Sequence, residues 1–212
     1  MKPALWALPV ALFVAMPVVA QDGPPPPPEP QTVEVVLETT KGDIVLAIET
    51  ERAPITAANF LRYVDEGRLD GTVFYRAMKL DWGEQPNGLI QAGTQNNPKL
   101  TLPPIAHEPS TVTGVKHIAG AISMARYAPG TASGDFSILL RELSSMDAKP
   151  DGKDEEERAG YAAFGHVVKG MDVVFAIHAA PIDPEKGSGW MKGQMLADPV
   201  RIVDARRVAS KP

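Results

Sequence analysis

From Val33 onward the apolar residues of this chain come in short runs rich in β-branched side chains. Residues 33–37 and 44–48 flank Thr40, Lys41, Gly42 and Asp43, a pattern that predicts a hairpin. Further strands are predicted at 73–78, 89–93, 121–125, 136–140, 162–168 and 199–208, which makes eight in all. Between the second and third strands the spacing changes. Ala57, Phe60, Leu61 and Val64 recur at helical intervals, Pro54 suits a first helical turn, and Gly67 can take the left-handed conformation that ends a helix. A second helix is predicted near 170–178. The chain therefore reads as mainly β, compatible with a closed antiparallel barrel.

Alternation along 73–78 separates Val73 and Tyr75 from Phe74 and Arg76, so the pattern puts Phe74 and Arg76 on one face. An arginine sharing a face with an aromatic is a candidate pocket residue. This segment alone equally allows a surface arginine lying over apolar neighbours.

The N-terminus has a different character. Lys2 precedes an apolar run from Ala4 to Ala20 that ends in Val18, Val19 and Ala20, the small-residue pattern of a signal peptidase site. Residues 1–20 are expected to be a signal peptide and the destination to be outside the cytoplasm, periplasmic with secretion open. A retained anchor is the other reading, but the run contains Pro9 and Pro17 and falls short of the roughly 20 apolar residues of a spanning helix. Residues 21–31 include Pro24 through Pro28, a composition that favours a polyproline II spacer of about 3.1 Å per residue or, alternatively, a ligand for a proline-binding module. Residues 32–210 then form one domain, for which 212 residues with 44% hydrophobic content supply a single core.

Composition excludes several chemistries. Lys+Arg 21 against Asp+Glu 26 gives −5, without a basic cluster to track a phosphate backbone, so nucleic acid is not an expected partner. With 0 Cys there are no disulfides and no thiolate chemistry. The four histidines, His107, His117, His166 and His178, lack metal-ligand spacing, and no cofactor or metal is expected. Gly187, Ser188, Gly189 and Gly193 do not form a phosphate-binding pattern, there is no Gly-x-Ser-x-Gly elbow, and the acidic run 154–157 reads as a solvated loop.

Five motifs carry a family resemblance. Pro54-x-Thr56-x-x-Asn59-Phe60, Tyr63-x-x-x-Gly67, the Asp70-Gly71 turn and Phe74-x-Arg76 closely resemble the segment that holds the catalytic arginine in cyclophilin-type peptidyl-prolyl isomerases. Ile90-Gln91-Ala92-Gly93 is similar to that family's Ile-Gln-Gly-Gly strand, and residues 120–126 to its Gly-x-Ile-x-Met-Ala-Arg strand. Residues 129–138 resemble the loop and strand that follow, and residues 160–174 the closing Phe-Gly-x-Val-x-x-Gly-Met-Asp-Val-Val motif.

The resemblance implies an eight-stranded barrel capped by two helices and a cofactor-free isomerase that assists folding of proline-containing polypeptides. It implies Arg76 as the catalytic guanidinium and Gln91 as its holder or as a contact to the substrate backbone. Phe74, Leu89, Ala125, Asp135, Ser137, Met146 and Tyr161 are the implied substrate-binding positions. A monomer, free of membrane once the signal is removed, is expected.

The sequence departs from the family at that pocket. Asp135 stands where glutamine is usual, Ser137 where a second phenylalanine is, Ser145 where an aromatic is, and Met146 at a leucine. Gly88 and Leu89 stand where the family has Phe-Met, within a longer connection, 77–90, that contains Trp82. The expectation is a pocket with thinned apolar walls. Two arrangements stay open: an Asp135 carboxylate that reaches Arg76, or an Asp135 turned to solvent with Trp82 refilling the proline site. The alternative function is a binding module or chaperone that has lost most catalysis.

Overall fold

A computed structural model describes residues 30–209. The expected signal peptide, 1–20, and most of the expected proline-rich spacer, 21–31, lie outside the described residues. The chain runs through β1 (Thr32–Thr39), β2 (Gly42–Glu49), α1 (Pro54–Asp65), β3 (Val73–Leu80), β4 (Asn87–Gly93), α2 (Ser110–Thr113), β5 (Ala121–Met124) and β6 (Phe136–Leu139). It continues through α3 (Glu155–Ala159), β7 (Ala163–Lys169), α4 (Met171–His178), β8 (Ile182–Asp183) and β9 (Met195–Arg207). Strands pair antiparallel in the order β1-β2-β7-β5-β6-β4-β3-β9, and β1 pairs with β9 to close an eight-stranded barrel. Closure leaves these strands without open edges. The two-residue β8, which the sequence pattern did not show, adds only to β9.

Inward-pointing residues fill the barrel. Leu37, Ile44, Leu46, Ile48, Ile90, Ile122, Ile138 and Phe164 are all fully buried. The apolar stripe of α1 seats Phe60 edge-on against Phe136, with ring centroids 5.3 Å apart, and 5.2 Å from Phe164; such aromatic contacts add to simple area burial. Helix α4 buries Val174 and Ile177 in the same core. The short α2 and α3 also escaped the sequence pattern, and the acidic run is not wholly loop. Asp154 caps α3 by accepting from the Glu157 N–H at 2.9 Å, and Glu155 to Glu157 occupy a first turn that favours negative charge.

Helix α1 has no local side-chain cap. Its first N–H groups are satisfied from 53 residues away in sequence: Glu108 accepts from Ile55 N at 3.2 Å, Thr56 N at 2.6 Å and the Thr56 hydroxyl at 2.7 Å. Glu108 is buried, so removing its carboxylate orphans all three donors. Glu108→Ala is expected to lower stability by about 2–3 kcal/mol, and Glu108→Gln by less because one acceptor remains. Thermal unfolding of the two variants measures the difference.

One irregularity in β3 builds the functional face. Across both neighbouring strands the register slips between Phe74 and Arg76: Phe74 faces Ala92 and Val200, whereas Arg76 faces Gln91 and Met195. Tyr75 is the extra residue of a β-bulge. Phe74 therefore points into the core, 6.1 Å from Phe136, and Ala77 points inward as well. Tyr75, Arg76 and Met78 point outward. The expectation that Phe74 shares a face with Arg76 and binds substrate is thereby corrected, because simple alternation cannot anticipate an inserted residue.

Candidate active site

The outer face of β3, β4, β6 and β5 carries Arg76, Gln91, Ser137 and Ser123 as successive cross-strand partners. Above this row lies a cleft of about 350 Å³, a volume typical of small-ligand sites. Of the residues singled out from the sequence, Arg76, Gln91, Leu89, Ala125, Asp135, Ser137, Met146 and Tyr161 line it. Phe74 does not.

Arg76 is only 3% exposed, and its guanidinium is held on two edges and one face. Nη1 donates to Gln91 Oε1 at 2.7 Å, while Nε and Nη2 donate to Gln194 Oε1 at 2.9 and 2.6 Å. The Trp190 ring stacks 4.6 Å from the guanidinium carbon. Burial lowers the arginine pKa, yet a guanidinium stays charged through the physiological range. Three of its five N–H groups are engaged in these bonds, which leaves one on each Nη.

A chain of hydrogen bonds runs from this arginine to the rim. Gln91 Nε2 donates to the Tyr75 hydroxyl at 2.6 Å, and that hydroxyl donates to Asp135 Oδ2 at 3.2 Å. Asp135 Oδ1 accepts from Gln95 N at 2.8 Å and from the Thr94 hydroxyl at 3.3 Å. Asp135 thus neither reaches Arg76 nor turns to solvent; it orients Tyr75, which orients Gln91. Burial raises the Asp135 pKa, and burial together with the Asp135 charge pushes the Tyr75 phenol far above its ordinary value, so Tyr75 stays a neutral donor.

Glycines let the rim close on itself. A Cβ at Gly93, where φ is 133°, would lie 2.4 Å from both the Asp135 carboxylate and the Gly134 carbonyl, and a Cβ at Gly134 would meet the Tyr63 ring at 2.7 Å. Asn59 of α1 adds a tether by donating to the Ser133 carbonyl at 2.7 Å.

The pocket is rebuilt rather than thinned. Trp82 sits half-exposed in the β3–β4 connection, where its carbonyl accepts from Asn87, and does not line the cleft. The aromatic over Arg76 is Trp190 instead. Ser145 is exposed on a turn at 144–146 and lines nothing, while the neighbouring Met146 joins Met124, Met191 and Met195 in the wall. Tyr161 stacks on Arg126 at 4.5 Å, and Arg126 Nη2 donates to the Gly160 carbonyl at 2.6 Å. Sequence reasoning missed Tyr75, Trp190 and Gln194. The last two lie more than 110 residues from Arg76 in a segment without periodicity, and no local signal marks them.

Behind the walls, His117 Nδ1 bonds Asp147 Oδ1 at 2.8 Å and Nε2 bonds the Ser123 hydroxyl at 2.9 Å. The order resembles a nucleophile triad, but Ser123 is fully buried and has no path to a substrate. The bonds instead tie the strand bearing Met124 to the turn bearing Met146. Burial lowers the His117 pKa; burial would raise that of Asp147, but the bonds from His117 outweigh it and lower it. His178 is also lowered by burial. An unfolded histidine takes up its proton near pH 6.5 while these two resist it, so stability is full above that value and falls as pH drops below it. Unfolding midpoints should decline from pH 7 to 5, and His117→Gln should flatten part of that decline; an unchanged slope would show that His117 carries no linkage.

An eight-stranded barrel with an arginine-centred cleft on its outer face defines the class. Among solved structures, the fold matches a cyclophilin-type peptidyl-prolyl cis-trans isomerase of Cryptosporidium parvum with a TM-score of 0.66 at 19% identity, over 85% of this chain and 100% of that one. The structure of the same parasite protein in the presence of the dipeptide Ala-Pro matches with a TM-score of 0.65. Residues 34–207 match the family described as cyclophilin type peptidyl-prolyl cis-trans isomerase/CLD. A peptidyl-prolyl cis-trans isomerase of Acinetobacter baylyi is 35% identical over 81% of this chain and 84% of its own, and peptidyl-prolyl cis-trans isomerase B of Escherichia coli is 33% identical over 66% and 80%. The chain belongs to the cyclophilin-type peptidyl-prolyl cis-trans isomerase family and is an isomerase.

Proposed function

We propose that this protein accelerates rotation about X–Pro bonds in exported polypeptides, with Arg76 as the catalytic group. Resonance opposes amide rotation with a barrier of about 18–20 kcal/mol. As the bond twists, the prolyl nitrogen regains its lone pair, and a hydrogen bond to that nitrogen strengthens only in the twisted state. The observation that carries the reading is the buried guanidinium with an unengaged N–H on each Nη at the floor of an apolar cleft. Gln91 and Gln194 hold it on its edges and Trp190 on its face, so little reorganisation is required as the amide twists. Leu89, Ala125, Met146 and Tyr161 supply the wall for the proline ring. A protease-free isomerisation assay on an Ala-Pro peptide, with Arg76 intact and replaced, tests the assignment.

The exported location rests on the N-terminal sequence. Cleavage after Ala20 yields a mature chain that begins at Gln21, is monomeric and carries a formal charge of −6, since loss of Lys2 takes −5 down by one. Mass spectrometry of protein recovered from the extracytoplasmic fraction is expected to find that N-terminus; an intact Met1 in sedimented membranes would identify an anchor instead.

A further inference from the structure

Among the described residues there are six methionines, and five of them, Met78, Met124, Met146, Met191 and Met195, line the one cleft. Met124 is buried, but the other four are partly open to solvent. The sixth, Met171, is also partly open but packs on the core from α4, away from the cleft, and so serves as an internal reference. The chain has no cysteine, so all the sulfur among the described residues is thioether, and four of its six thioethers stand partly open in this cleft. Two of them sit at the guanidinium itself: Met195 is the cross-strand partner of Arg76, and Met191 follows the Trp190 that covers it.

We propose that the cleft is a methionine modification site, in which oxidation of Met78, Met146, Met191 and Met195 to sulfoxides by a peroxide or hypochlorous acid suppresses substrate binding. The sulfur lone pair attacks the peroxide oxygen, an S–O bond forms as the O–O bond breaks, and proton transfer releases water. Sulfur loses two electrons and the peroxide gains them. With hypochlorous acid the leaving group is chloride. Each sulfoxide puts a strong acceptor into an apolar wall, and seating a proline ring then requires that acceptor to shed its water unpaired. A sulfoxide on Met195 or Met191 also competes with substrate for the unengaged N–H groups of Arg76.

This inference rests on the cleft being the isomerase site. The test exposes the whole chain to graded hydrogen peroxide, quenches with catalase, and reads the same samples for isomerase kinetics and for sulfoxide at each methionine by peptide mass spectrometry. When the four partly open cleft methionines are largely oxidised, kcat/KM on an Ala-Pro peptide is expected to fall at least about fivefold, chiefly through KM, because the added cost is desolvation of the sulfoxides on binding. The loss should track the cleft sulfoxides and not Met171. Methionine sulfoxide reductases of both epimer specificities, supplied with a dithiol, should reverse it, which damage to Trp190 would not allow.

The variant M78L/M146L/M191L/M195L should keep most of its own untreated activity at the same dose; M191L/M195L serves if the fourfold variant does not fold. Cleft sulfoxides with unchanged kinetics, or equal loss in the leucine variant, would overturn the proposal. An untreated wild-type protein without activity would overturn the reading of the cleft itself, and the sulfoxide map would still show separately whether these four methionines oxidise before Met171.

Discussion

Arg76→Ala is expected to cut kcat/KM on an Ala-Pro or Gly-Pro peptide by one to two decades while the barrel stays folded. A hydrogen bond from a charged donor, made in the transition state, is worth roughly 1.5–3 kcal/mol, which converts to that range of rate. The fold should persist because Arg76 lies on the outer face, whereas Phe74 and Ala77 beside it fill the core. Gln91 lines the cleft and Gln194 is partly exposed, so water can take the place of the lost guanidinium at both. Arg76→Lys should rescue little. An ammonium has no planar fork with which to engage Gln91, Gln194 and the substrate at once, and it cannot lie flat beneath Trp190 in the same way. Rates that coincide for wild type and Arg76→Ala, with near-ultraviolet circular dichroism unchanged, would remove Arg76 from the mechanism.

Gln194→Leu should cost about tenfold in the same assay, although Gln194 need not touch the substrate. Its Oε1 accepts from both Nε and Nη2, and losing an acceptor for a charged donor costs about 1.5–3 kcal/mol, part of which water recovers at this partly exposed site. Its amide also donates to the Trp190 carbonyl at 3.0 Å, so the substitution loosens the ring as well. As a positioning residue it should lower kcat with little change in KM, since the residues proposed to seat the proline ring are unchanged. Trp190→Ala should lower the rate by a factor of a few, in keeping with about 0.5–1 kcal/mol for a guanidinium stacked on an exposed ring. A KM effect without a kcat effect in Gln194→Leu would instead make the 187–194 segment a substrate contact.

The strands were legible because each buries one face and solvates or pairs the other, and that alternation is local. All eight predicted strands and both longer helices occur, most with boundaries within two residues; β9 begins four residues earlier than expected. The helix exit at Gly67 was equally visible, since a φ of 61° favours a residue without a Cβ. The short β8, α2 and α3 were not, because too few side chains are involved to show a period.

By itself the sequence determined the barrel, the family and the positions of Arg76 and Gln91, through short motifs whose residues are neighbours along the chain. Only the tertiary structure decided what surrounds the guanidinium. The bulge at Tyr75 arises from pairing with β4, and it moved Phe74 to the core and Tyr75 to the cleft. Asp135 was readable as a departure, but its role as the anchor of Tyr75 depends on a contact 60 residues long. Trp190 and Gln194 reach Arg76 from the far end of the chain because β9 closes the barrel beside β3. Closure is a global event, and no local pattern records which distant side chains it brings to rest on a given atom.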